Sequence, residues 1–193
     1  MIRFTYLMCI FILVSCSEKP ASELTAFQLH QKEQHEFMLS NSSPLPEEER
    51  KNFIALNYFP QNDSFNVQAE YRSVFNGGRI EFETNTERRP KYIHYGNVVF
   101  MINDKLHKLH AYKQESDTSK SLFVPFNDLS NGKSTYHSGR YLDITIPNSN
   151  SFNLNFNLAY NPYCAYNKKY SCPIPPMANR LDISINAGEK KYH

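Results

Sequence analysis

The chain has no tryptophan, no dense basic patch and no hydrophobic run long enough to span a bilayer. Its longest largely apolar stretch, Phe4 to Val14, covers about 11 residues where a spanning helix takes about 20. Lys and Arg number 21 against 19 Asp and Glu, a net charge of +2. The most basic stretch is Glu87-Arg88-Arg89-Pro90-Lys91, so nothing asks for nucleic acid as a partner. No His-Glu-x-x-His, Gly-x-Ser-x-Gly or phosphate-cradling glycine loop occurs, so no familiar catalytic motif is present and no cofactor is implied. With Trp absent, 13 Tyr and 14 Phe supply the aromatic content, which points to a β-rich domain built on aromatic cross-strand pairs.

What is present begins at the N-terminus. One basic residue, Arg3, precedes the short apolar run, and Leu13-Val14-Ser15-Cys16 closes it. That pattern is a secretory signal with a small-residue cleavage site. The tetrad resembles the lipobox of bacterial lipoproteins, whose Cys becomes the lipid-bearing first residue. Residues 1–15 are therefore expected to be a lipoprotein signal peptide and Cys16 the lipidated residue. Residues 16–21 would be a tether and residues 22–193 a single β-rich domain. The expected location is the bacterial cell envelope, with the lipid holding the protein on the outer membrane.

Ser22 to Ser40 reads as a helix capped by Ser22, with Leu24, Phe27, Gln31, Gln34, Phe37 and Met38 on one side. That stripe is half apolar, which suits a helix lying on the domain surface. Ser43-Pro44-Leu45-Pro46-Glu47-Glu48-Glu49 opens a shorter helix whose Phe53 and Leu56 would pack inward. The period then changes to two. Phe65, Val67, Ala69, Tyr71 and Phe75 alternate with polar residues, and Asn76-Gly77-Gly78 predicts a hairpin into Ile80, Phe82 and Thr84. Val98–Ile102 and Lys105–Tyr112 flank Asn103-Asp104 as a second hairpin. Leu122–Val124, Arg140–Ile146, Phe152–Leu158 and the run Leu181, Ile183, Ile185 supply further strands. Two short helices followed by many short strands predict a compact antiparallel β-sandwich or barrel.

Several segments together carry a family likeness. They are Ser43-Pro44-Leu45-Pro46-Glu47-Glu48-Glu49-Arg50 with Tyr58-Phe59-Pro60, then Leu122-Phe123-Val124-Pro125-Phe126 and Gly139-Arg140-Tyr141-Leu142-Asp143. After them come Tyr160-Asn161-Pro162-Tyr163-Cys164-Ala165-Tyr166-Asn167, Cys172-Pro173-Ile174-Pro175-Pro176 and Ala187-Gly188-Glu189-Lys190. In this order they resemble the bacterial domain of unknown function 1684 family, over residues 36 to 190. The resemblance implies an exported or membrane-tethered β-rich domain and implies no activity. His137 and Ser138 stand where the family tends to carry glycines, and Ala178 stands where an acid is usual.

Cys164 and Cys172 remain as an even pair in an exported chain, which reads as a disulfide contributing about 2.5 kcal/mol by loop closure. Free thiols and a metal site are the competing readings, although zinc needs two further ligands and no His lies in this segment. No metal site is expected from the histidines. The ligand-binding candidates are Tyr136, Arg140, Tyr141, Asp143, Tyr160 and Asn161, which bring a cation, an anion, phenols and an amide together. Period two puts Tyr141 and Asp143 on one face of their strand. If that face is covered, Asp143 needs a partner, and Arg140 or Arg180 is the expected one. Two classes of function compete. One is a non-catalytic binding module for a small ligand, a glycan or a protein. The other is a periplasmic or surface hydrolase with Asp143 as acid or base and His137 as its partner. They separate on whether Asp143 and His137 converge in one pocket. A third reading, interaction through an exposed sheet edge, predicts no pocket.

Overall fold

The computed structural model describes residues 24–193. The expected signal segment, Cys16, the tether and Ser22 lie outside the described residues. Helix α1, Ala26–Leu39, is capped by Thr25 in place of the expected Ser22. The Gln28 amide donates to Thr25 Oγ1 and the Thr25 amide to Gln28 Oε1, at 3.2 and 2.9 Å. Only Thr25 has a Gln three residues on, so it alone can close this reciprocal box, worth about 1 kcal/mol. Helix α2, Glu47–Lys51, follows Pro46 with three acids in its first turn, where they meet the positive end of the helix. Met38, Leu45, Leu56 and Tyr166 make a small core beneath these helices, with Phe53 packed against it. Among the described residues no helix is long and apolar enough to cross a membrane.

Among the described residues there are seven strands: β1 Asn66–Ser73, β2 Arg79–Glu81, β3 Lys91–Ile102, β4 Lys105–Gln114, β5 Ser121–Phe126, β6 Arg140–Thr145 and β7 Ser151–Asn155. They form one antiparallel sheet in the order β6-β5-β4-β3-β1-β7, with β2 also on β3, curled into a half-barrel. The β3–β4 hairpin turns at Asn103 and Asp104, both at positive φ, as a two-residue primed turn requires.

The hairpin expected at Asn76-Gly77-Gly78 does not form. β1 and β2 both pair antiparallel with β3, at Ser73↔Gly96 and Arg79↔Ile93. The chain therefore loops out and resumes the same direction along β3. The reason lies in the close approach of the loop to β3, where a Cβ on Gly77 would stand 1.7 Å from the His94 carbonyl oxygen. At that point β3 carries an irregularity between His94 and Gly96. One extra residue flips the alternation. Val98 and Phe100 thus face the inner core, while Tyr92 pairs across to the outer aromatic set.

The inner face holds Leu109, Leu122, Val124, Phe126, Leu142, Ile144 and Leu154. Leu181, Ile185 and Ala187 join them, but the expected last strand is absent and this segment is irregular. It is held instead by polar side chains. Arg140, 0% exposed, donates to the carbonyl oxygens of Ile185, Ala187 and Glu189 and to Asp128 Oδ2 at 3.1 Å. Asp128 Oδ1 accepts from the Ser130 and Ile185 amides. A buried guanidinium thus supplies the donors that a neighbouring strand would otherwise give. Asn179 acts similarly where β4 and β5 diverge. Its side chain accepts from the His110 amide and donates to the His110 and Pro125 carbonyls.

The outer face at the β5–β6 end is covered too. Phe82, Tyr92, Tyr112, Phe123 and Tyr141 pack ring against ring, under a loop carrying Pro162, Cys172 and Pro173. β7 ends earlier than expected, at Asn155. Asn157 is buried and exchanges two hydrogen bonds with the Asn62 backbone.

Candidate functional site

Strand β6 distributes its side chains strictly by parity. Arg140, Leu142 and Ile144 point to the inner core, and Tyr141 and Asp143 to the outer face. Three residues apart on a strand, Arg140 and Asp143 face opposite sides, so the expected pair between them does not form. Arg140 pairs with Asp128, and Arg180 is exposed. Asp143 is instead met by a phenol: Tyr160 Oη donates to Asp143 Oδ2 at 2.6 Å.

Tyr160 reaches it because the segment after β7 crosses back to β6. The Tyr141 and Tyr160 backbones exchange both hydrogen bonds, which ties the free edge of β6 to the segment leaving β7. Next to this bridge, α1 lies alongside and encloses a cleft of about 480 Å³, within the size range of small-ligand sites. His30, Glu33 and Phe37 of α1 form one wall, and Asp143, Tyr160, Asn161 and Tyr163 the other. Phe37 and Tyr163 stack at 5.8 Å across it.

Asp143 keeps solvent access at the cleft mouth, yet the surrounding walls raise its carboxyl above the usual range, an effect the Tyr160 hydrogen bond partly offsets. Burial pushes the Tyr160 phenol well up, so it remains a donor. Burial lowers His30 against the opposing pull of Glu33, which leaves a neutral ring at neutral pH. Two buried polar atoms of the lining residues have no partner among the described residues: His30 Nε2 and Asn161 Oδ1. Asn161 is 1% exposed, and its other groups are committed, its amide to Glu189 Oε2 and its Nδ2 to the Lys190 carbonyl.

Of the six ligand-binding candidates, Asp143, Tyr160 and Asn161 thus share one cleft. Tyr141 is packed under the outer loop with its hydroxyl on the Pro173 carbonyl, and Arg140 is interior. Tyr136 lines a different cleft with His137 and Cys164, so Asp143 and His137 do not converge. Cys164 and Cys172 stand as free thiols, with the Cys164 amide donating to Cys172 Sγ at 3.0 Å. Among the described residues, no group of three or more His, Cys, Asp or Glu is placed to hold a metal.

His30, Glu33 and Phe37 were not expected at the site. Their signal is the weakly amphipathic face of α1, which has polar and aromatic residues where a core helix would be apolar. Every charged or basic group in the lining is a carboxylate or an imidazole. The cleft therefore offers acceptors and aromatic faces.

Residues 51–190 match a family described as "Protein of unknown function (DUF1684)". The structure is similar to the solution NMR structure of an uncharacterised protein from Haloarcula marismortui, at 35% sequence identity and a TM-score of 0.69. That match covers 84% of this chain and 91% of the archaeal one. No curated protein matches the sequence.

Proposed function

Starting from the finding that the chain belongs to the DUF1684 family, we propose that it is a non-catalytic binding module anchored in the cell envelope by lipid on Cys16. Its ligand is a small molecule carrying a positively charged amine, taken into the cleft between α1 and the β6 edge. The observation that carries this reading is Asp143, which keeps solvent access with one oxygen held by Tyr160, in a cleft whose lining among the described residues contains no Lys or Arg.

The chemistry selects the ligand. A carboxylate accepts hydrogen bonds and carries the opposite charge, and an ammonium group donates three. Phe37, Tyr160 and Tyr163 add ring faces, which attract a cation by about 0.5–2 kcal/mol each when desolvated. The Tyr160 donor fixes one Asp143 oxygen and leaves the other to the ligand. Arginine- or lysine-mediated recognition of anionic glycans or phosphates finds no counterpart in this lining. The hydrolase reading required Asp143 and His137 in one pocket, and it gains no support from two separate clefts.

A thermal-shift screen of small amines against their neutral and anionic isosteres tests the proposal. At saturating amine, about 100 times the dissociation constant, stabilisation should reach about 2.7 kcal/mol. Asp143→Asn should abolish that shift while leaving the ligand-free melting temperature nearly unchanged. Equal stabilisation by neutral isosteres, or an intact shift in Asp143→Asn, would refute the proposed ligand class.

A further inference from the structure

We infer that Cys164 and Cys172 are an exchange-active dithiol, with Cys164 the attacking thiol and Cys172 the resolving one. The roles follow from an asymmetry in how the fold holds the two sulfurs. Cys164 sits in the short turn Tyr163–Ala165, half-buried, and lines the second cleft, about 820 Å³. Cys172 is 8% exposed and turned under the outer loop, against the pocket formed by Tyr92, Phe123 and Tyr141. Cys164 is the more exposed of the two, so an incoming disulfide meets it first.

The surroundings of Cys164 suit that role. Tyr136 Oη donates to Cys164 Sγ at 3.7 Å. The proximity of the Cys172 thiol, with Tyr136, outweighs the effect of burial and lowers Cys164 to about 7. The same contact, together with burial, raises Cys172. Facing the Cys164 side across the cleft are Glu49, His137, Lys168, Lys191 and His193, and Arg88 acts on Cys172. A thiol titrating near ambient pH is the best attacking group for exchange. The backbone also fixes the pair for the second step. The Cys164 amide holds Cys172 Sγ at 3.0 Å, and the Cys172 amide is tied to Asn85 Oδ1 at 2.8 Å.

The reaction balances with a small-molecule disulfide as oxidant. The Cys164 thiolate attacks one sulfur of that disulfide, forming a mixed disulfide and releasing one thiolate. Cys172 then gives its proton to that thiolate and attacks Cys164 Sγ, releasing the second thiolate, which takes from solvent the proton that Cys164 gave up. Two protein thiols are oxidised to one disulfide as one small disulfide is reduced to two thiols. The disulfide expected from the sequence is, on this reading, the oxidised half of a cycle. The inference does not depend on the amine cleft.

The test uses the full chain freed of reductant and treated with oxidised glutathione. The wild type should pass to the internal disulfide, and Cys172→Ser should accumulate glutathione on Cys164. Cys164→Ser should react at least tenfold more slowly, and Tyr136→Phe should slow attack at neutral pH more than at alkaline pH. If either cysteine variant fails to fold, brief iodoacetamide labelling of the reduced wild type replaces it, with Cys164 expected to label at least tenfold faster. Equal reactivity of the two cysteines, or no pH-dependent effect of Tyr136→Phe, overturns the assignment.

Discussion

Tyr141 and Tyr160 exchange their main-chain hydrogen bonds at 2.9 and 3.0 Å, and their rings meet edge to face at 5.8 Å. This one bridge joins the free side of β6 to the chain leaving β7. It also places the Tyr160 hydroxyl on Asp143, so closure of the half-barrel and assembly of the cleft are one event. The neighbouring buried polar groups, Arg140, Asp128 and Glu189, hold the irregular C-terminal segment against that closure.

The Arg140–Asp128 pair is structural, and a double-mutant cycle should show it. Asp128→Asn leaves a fully buried guanidinium without its counter-charge and should cost about 3–5 kcal/mol in urea unfolding. Replacing both, as Arg140→Met with Asp128→Leu, should cost clearly less than the sum of the single changes. Additive losses would mean that the two side chains act independently.

The looped-out turn between β1 and β2 can be tested with two adjacent glycines. A Cβ at Gly77 collides with the His94 backbone, whereas one at Gly78 meets nothing within 4 Å. Gly77→Ala should therefore destabilise the protein by about 1–3 kcal/mol, and Gly78→Ala by much less. A true hairpin at this site would not make that distinction, so equal effects would count against the in-line arrangement.

Glu189 makes stability depend on pH. Burial raises its carboxyl to about 7 despite hydrogen bonds from Tyr166 Oη and the Asn161 amide. The unfolded chain releases this proton near 4.5, so between about 4.5 and 7 the folded state binds more protons. Stability from this group is present below that window and declines as pH rises through it. Glu189→Gln should flatten this part of the profile in urea titrations at pH values across the window. A wild type whose decline survives in Glu189→Gln would place the titration elsewhere.

Lipid anchoring is tested by fractionation. Cys16→Ala should shift the mature protein from the membrane to the soluble fraction, since the several acyl chains of a lipoprotein provide stable attachment where one alone does not. Mass spectrometry that finds wild-type Cys16 unmodified would refute the anchor.

Local chemistry alone was sufficient for part of this protein. The alternation in β6 puts Tyr141 and Asp143 on one face, Asn103-Asp104 carries the positive φ of a primed turn, and the count of short strands implies an antiparallel sheet. Each follows from a period or a dihedral preference, which residues carry with them. Other features belonged to the tertiary structure. Asn76-Gly77-Gly78 permits a sharp turn, but only the length of β3 decides that the chain continues along it instead of reversing. Parity shows that Arg140 and Asp143 face apart, yet not that Asp128 and Tyr160 are their partners, because those residues arrive from other segments. The α1 wall of the cleft, the splint at Asn179 and the buried Glu189 depend equally on contacts remote in sequence. Periodicity reports which way a side chain points; what stands opposite it is decided only when the sheet curls and the far segments pack.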